Sequence, residues 1–91
     1  MCLDYAHAAL SKTEPGEWAK RLGRYVKHVH INDNDLISDL HLAWGEGKID
    51  REGFYRSYDR YMSDATVLVE TKTIENKLSS LKKLKEDGFF I

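Results

Sequence analysis

The sequence is poor in the residues that lock or break a backbone. It has one cysteine, Cys2, and one proline, Pro15, in 91 residues. A single cysteine excludes an intrachain disulfide and fits a reducing, cytoplasmic setting. Apolar runs are short: none approaches the length of a transmembrane helix, and the first residues lack the basic-then-apolar pattern of a signal peptide. An excess of one charge is also missing. Fourteen basic residues stand against fifteen acidic ones, a net charge of -1. That balance gives no global attraction for nucleic acid or for an anionic membrane, so neither is expected as a partner. What is present suffices for one small domain, because 42% of residues are hydrophobic and 32% charged, which permits a packed core and argues against global disorder. No internal repeat or low-complexity segment is visible.

The most informative stretch is Val26-Lys27-His28-Val29-His30-Ile31-Asn32-Asp33. Val26, Val29 and Ile31 are β-branched and favour an extended backbone. Alternation puts His28 and His30 on one face and Val29 and Ile31 on the other. The strand, residues 26–31, runs into a polar turn, Asn32-Asp33-Asn34-Asp35, and a long loop to residue 48 containing Gly45 and Gly47. A loop of that length is more often functional than idle. Strands are also expected at Met1–Tyr5 and Ala65–Glu70, the latter with Val67 and Val69 on one face and Thr66, Leu68 and Glu70 on the other. The chain opens in the middle of its first strand with no lead-in, which suggests a piece of something longer.

Helices fill the gaps. Ala6–Leu10 reads as a loop or a short helical turn. Thr13-Glu14-Pro15 reads as a helix start with Thr13 as cap, followed by Trp18, Leu22 and Tyr25 at helical spacing. Asp50 caps a second helix whose inner face is Phe54, Tyr58, Tyr61 and Met62. Thr73 caps a third with an apolar stripe of Ile74, Leu78, Leu81 and Leu84, stopped by Asp87-Gly88. Phe89-Phe90-Ile91 reads as a strand start or a packing tail. Strands separated by single helices imply parallel pairing with right-handed crossovers.

In a parallel sheet the C-terminal strand ends share one edge, so Asp4, His30 and Glu70 should converge. Two carboxylates and an imidazole form a hard O/N ligand set, suited to Mn²⁺, Mg²⁺, Co²⁺ or Zn²⁺. Plainer roles compete. A strand-end carboxylate is often a cap or a surface charge, His28 reads as an interior residue rather than a ligand, and Cys2 as a small core residue. Trp44 is a lid, a substrate-stacking residue or a loop anchor. Lys82, Lys83 and Lys85 read as a solvated face.

Taken together, Leu3-Asp4-Tyr5-Ala6-His7, His28-Val29-His30-Ile31-Asn32-Asp33, Asp39-Leu40-His41, Gly45-Glu46-Gly47-Lys48-Ile49-Asp50 and Leu68-Val69-Glu70 resemble the xylose-isomerase-like TIM-barrel superfamily. That group holds sugar-phosphate isomerases and epimerases and the endonuclease-IV-type nucleases. The resemblance spans nearly the whole chain and implies an α/β fold made of the last three β/α units of a barrel: an open three-stranded parallel sheet with helices. It implies that Asp4, His30 and Glu70 bind metal, that Glu70 also exchanges a proton with a sugar carbon, and that His7 contacts substrate or a second metal. Asp39 and His41 match a pair that binds an additional zinc in the nucleases and contacts substrate in many epimerase-like members.

The family's upstream ligating glutamate has no counterpart here, and a full barrel takes about 250 residues. The expected activity is therefore isomerisation or epimerisation of a small sugar or sugar phosphate, weak or absent in this chain by itself. A zinc nuclease for abasic DNA and a non-enzymatic fragment that only folds and assembles are the competing readings. The open sheet edges further predict self-association, and Arg51 is an unexpected residue at a helix start.

Overall fold

Three short β-branched or apolar segments form the sheet. In the computed structural model, which describes residues 1–11 and 13–89, the strands are β1 (Cys2–Asp4), β2 (His28–Ile31) and β3 (Thr66–Val69). They lie in the order β1-β2-β3, all parallel. The register sets Asp4 beside His30 and His30 beside Leu68. The helices are α1 (Tyr5–Leu10), α2 (Pro15–Leu22), α3 (Arg51–Tyr61) and α4 (Ile74–Glu86). The segment Ala6–Leu10 is thus a helix. Among the described residues, no helix is long and apolar enough to cross a membrane.

One face of the sheet carries the core. Leu3, Val29, Ile31 and Val69 are buried on it, and Val67 packs against them. Phe54 sits at the centre, fully buried, with its ring centroid 4.7 Å from Tyr5, 5.4 Å from Trp44 and 5.7 Å from Phe89. Edge-on and tilted ring packing of this kind adds to the burial energy. Met62 is buried, and Tyr58 and Tyr61 pack at the margin, as the helical spacing implied. Tyr55, which lies off that stripe, is buried too, and its hydroxyl donates to Asp87 Oδ2 at 2.5 Å. Burial, then the neighbouring Asp87 carboxylate, pushes the Tyr55 hydroxyl up to about 12. Arg51 Nε donates to the same Asp87 oxygen at 2.8 Å, which accounts for an arginine at that helix start.

The caps follow local chemistry. Asp50 accepts from Gly53 N and Thr73 from Asn76 N, at 3.1 and 3.0 Å. Thr13 makes no cap. Glu14 holds that position without a side-chain bond, and Pro15 starts the helix. Along this helix only Ala19 is buried and Trp18 is exposed, and Tyr25, exposed too, lies past its end in a 3-10 turn, Gly23–Tyr25. The α2 stripe is therefore a margin of the core rather than its wall.

Three further expectations are corrected. Cys2 is an exposed free thiol and His28 is exposed, because both lie on the face of the sheet opposite the core. On α4, Leu84 is buried, but Ile74, Leu78 and Leu81 are exposed. The helix turns Ser80 and Leu84 inward and leaves the rest of its stripe outside. Lys82 and Lys85 are solvated as expected. Of the tail, Phe89 is buried, and Phe90 and Ile91 lie outside the described residues.

Candidate metal centre

Asp4, His30 and Glu70 come together at the C-terminal edge of the sheet. One ligand atom from each lies within 4.8 Å of the other two. The register explains this: Asp4 and His30 are direct neighbours, and Glu70 N–H continues the ladder by donating to Ile31 O at 2.9 Å. Side-chain alternation then returns Glu70 to the His30 face. His30 Nδ1 lies 2.5 Å from Glu70 Oε2. All three side chains are half-buried, so water is partly excluded while access remains. Asp4 has a second task that the strand pattern did not reveal. It caps α1, its Oδ1 accepting from His7 N at 3.0 Å.

His7, Asp39 and His41 form a second group on the same criterion. His7 Nε2 is 2.7 Å and His41 Nε2 3.2 Å from Asp39 Oδ2. His7 Nδ1 also lies 3.2 Å from Asp4 Oδ2, so one imidazole bridges the two groups. Hydrogen bonding to Asp39 raises the His7 pKa above the usual histidine value, burial opposes the rise, and the Asp4 charge adds to it. The same bond holds Asp39 below the usual carboxylate range. His7 in its charged form is thus matched to two carboxylates.

The loop that carries Asp39 and His41 is built on Asp33. This carboxylate is fully buried. Its Oδ1 accepts from Asn34 N at 2.9 Å and Ile49 N at 3.0 Å, and its Oδ2 from Gly45 N at 2.9 Å. Backbone bonds between Asp33 and Leu42, at 2.8 and 2.9 Å, close the loop. Both glycines are required. Gly45 sits at φ +95°, and a Cβ on Gly47 would lie 2.3 Å from Asn34 O and 2.4 Å from Asp33 Oδ1. Trp44 resolves as an anchor: it is buried, its amide donates to Ser80 Oγ at 2.8 Å, and its indole N–H donates to Tyr55 at 3.0 Å. His41 has φ 52°, a left-handed conformation unusual for a non-glycine residue and found disproportionately at functional sites.

Two buried residues of this region were not singled out from the sequence as working parts. Asp33 is one; only its place at the end of the H-x-x-D run could have marked it. Asn32 is the other. It is fully buried, with Nδ2 3.4 Å from His41 Nδ1 and Oδ1 without a partner among the described residues. A cleft of about 410 Å³ lies elsewhere, between the starts of α2 and α3, lined by residues that include Tyr5, Lys48, Arg56 and Ser57. None of the six clustered side chains lines it, so the convergent donors and not this cleft mark the candidate site.

The donor set fits a hard divalent cation. Ion-to-donor distances of about 2.0–2.6 Å place ligand atoms up to roughly 5 Å apart, and the donor atoms of each group lie within 4.8 Å of one another. No family model matches the sequence. Two uncharacterized proteins of Methanocaldococcus jannaschii are similar to it over 84 residues, at 30% and 29% identity. Each similarity covers 92% of this chain but only 29% and 33% of the relative. A crystal structure of a D-tagatose 3-epimerase-like protein superposes with a TM-score of 0.85 and 29% sequence identity, over 94% of this chain and 33% of that one. The chain thus spans about a third of the length of the proteins it matches, and its open three-stranded parallel sheet with helices corresponds to a third of a TIM-barrel epimerase-like protein.

Proposed function

We propose that this chain forms the ligand-bearing edge of a metal-dependent isomerase or epimerase acting on a small sugar or sugar phosphate. The observation that carries the reading is the convergence of Asp4, His30 and Glu70 on the sheet edge of a fold that superposes on an epimerase-like protein. These three residues would hold a Mn²⁺, Mg²⁺, Co²⁺ or Zn²⁺ ion. Such an ion, when bound, supplies Lewis-acid polarisation of a carbonyl and orients adjacent substrate oxygens.

The remaining work falls to side chains. Glu70 takes the proton from the carbon next to the carbonyl. His7, whose charged form Asp39 and Asp4 favour, donates to the oxygen on which negative charge develops. To do so its Nε2 leaves Asp39, and the partly exposed Asp39 carboxylate returns to water. Return of the proton to the opposite face needs a second base, which the family resemblance places on an upstream glutamate. This chain alone is accordingly weak or inactive. Calorimetry with Mn²⁺ and Co²⁺ at neutral pH tests the site, and solvent proton exchange at C2 or C3 of ketoses tests the chemistry. Absence of any metal binding would leave a non-enzymatic role in folding and assembly. Robust turnover by the isolated chain would overturn the claim of inactivity.

One observation favours a second reading, a zinc nuclease for abasic DNA. His7 joins Asp39 and His41 in a further three-donor group. The near-neutral charge speaks against it. Tight, salt-sensitive binding to an abasic duplex, with a second equivalent of zinc, is the result that would select it.

A further inference from the structure

Among the described residues, Asn32 Oδ1 is the one buried side-chain polar atom without a hydrogen-bond partner. The residue is fully buried, although His30 two positions earlier is only half-buried. Buried amides are nearly always satisfied, so the exception needs a reason. The other end of the same amide, Nδ2, lies 3.4 Å from His41 Nδ1, a long contact for a hydrogen bond. Backbone bonds between Asp33 and Leu42, the next residue along each segment, fix the two stretches side by side, so that amide and ring meet. The left-handed backbone of His41, φ 52°, belongs to the same arrangement.

A neutral imidazole carries one N–H, and the partners of its two nitrogens decide which bears it. Here Asn32 presents an N–H to His41 Nδ1. Nδ1 is then the acceptor, and the ring proton sits on Nε2, facing Asp39 Oδ2 at 3.2 Å. In this tautomer Nε2 has no lone pair to give a cation held among His7, Asp39 and His41. A half-turn of the Asn32 amide puts Oδ1 where Nδ2 stands. Oδ1 then accepts from Nδ1–H, and the Nε2 lone pair faces Asp39. The proton leaves Nε2 to solvent and Nδ1 takes one from solvent, so the ring stays neutral. The amide as it stands is bonded at one end only, by a long contact, so hydrogen bonding favours that orientation weakly. Metal-ligating histidines characteristically donate their other ring N–H to an oxygen, which fixes the tautomer. We propose that Asn32 is a positioning residue whose amide turns to accept from His41 Nδ1–H, freeing Nε2 to hold a divalent cation with Asp39 and His7. The inference rests on the reading of this sheet edge as cation-binding.

The test uses the full 91-residue chain, labelled with ¹⁵N, and zinc alone as the probe. Long-range ¹H–¹⁵N spectra at one fixed pH above the histidine range report which ring nitrogen bears the proton. His41 is expected as the Nε2–H form without zinc and as the Nδ1–H form, with zinc on Nε2, after saturation. Asn32→Leu, which cannot accept, is expected to weaken zinc binding at His41, followed by its own ring signals, by roughly tenfold or more. Binding at His30 and the circular dichroism of the chain should be unchanged. Asn32→Asp, whose oxygen accepts without turning, should retain zinc at His41 and hold a proton on Nδ1 before zinc is added. The wild-type tautomer readout stands even if a variant fails to fold. A His41 ring that binds zinc through Nδ1, or an Asn32→Leu chain that binds zinc at His41 as tightly as wild type, overturns the proposal. So does zinc at His30 with none at His41, which leaves the proposed function intact. Zinc at His41 with none at His30 overturns the proposed function and not the role of Asn32.

Discussion

Replacing Asp33 by asparagine changes one atom and tests how the long loop is held. The carboxylate accepts three backbone N–H groups, two on Oδ1 and one on Oδ2. The substituted side chain can keep an oxygen where Oδ1 stands, but its amide group would then face Gly45 N, a donor against a donor at 2.9 Å. A hydrogen bond to a charged group contributes roughly 1.5–3 kcal/mol, and a buried N–H left unpaired costs a similar amount. These are two descriptions of one loss, so the expected destabilisation is about 1.5–3 kcal/mol. A domain of this size has about 5–14 kcal/mol in total, at roughly 0.05–0.15 kcal/mol per residue. Urea unfolding followed by Trp44 fluorescence, in a Trp18→Phe background, provides the measurement, because Trp44 is anchored in the same loop. With m of about 1–2 kcal/mol/M, the midpoint should fall by about 1–3 M at unchanged m. Asp33→Ala, which orphans all three N–H groups, should fall further. A shift below about 0.3 M for the asparagine variant would refute the view that Asp33 organises the loop.

The other expectations are more direct. His30→Ala should weaken Mn²⁺ binding at least tenfold, about 1.4 kcal/mol, whereas His28→Ala, at an exposed position outside both donor groups, should leave it unchanged in the same calorimetric titration. Asp39→Asn should bring the His7 imidazole back toward about 6.5, read by NMR titration. The linked stability follows from the signs. The raised His7 value stabilises the fold fully below about 6.5, an effect lost as pH rises through the raised value. The lowered Asp39 value stabilises above about 3.8, an effect lost as pH falls through the lowered value. The pair therefore acts in the window between, by a small amount given its exposure, and Asp39→Asn should flatten the stability profile there. Phe54→Ala should cost about 3–5 kcal/mol by thermal or urea unfolding, since aromatic neighbours on several sides would border the cavity. Gly47→Ala should disturb the loop as Asp33→Asn does, because the new methyl would overlap Asn34 O and Asp33 Oδ1.

Much of this architecture was legible because its causes are local. β-Branched alternation at Val29 and Ile31 gave β2 and its two faces, and the side-chain oxygens of Asp50 and Thr73 gave two helix starts. Helical crossovers between strands, one helix between β2 and β3 and two between β1 and β2, made the sheet parallel, and parallel strands end on one edge. The meeting of Asp4, His30 and Glu70 was thus contained in the order of the residues, since it needs only the register and a period of two. Other features depend on neighbours distant in the chain. Whether the α4 stripe was core could not be read from its spacing, because a helix pattern shows that a face is apolar but not that anything lies against it. Cys2 and His28 are exposed for the same reason: strand alternation defines two faces, and only the packing of the helices on one of them decides which is covered. Asp33 gathers N–H groups from Gly45 and Ile49, twelve and sixteen residues away. His7 meets Asp39 across thirty-two. Residue order alone determined the strands, their common edge and the donors placed there. Tertiary structure decided which faces are buried and how the loop folds back, because those outcomes depend on what each side chain meets in space and not on its sequence neighbours.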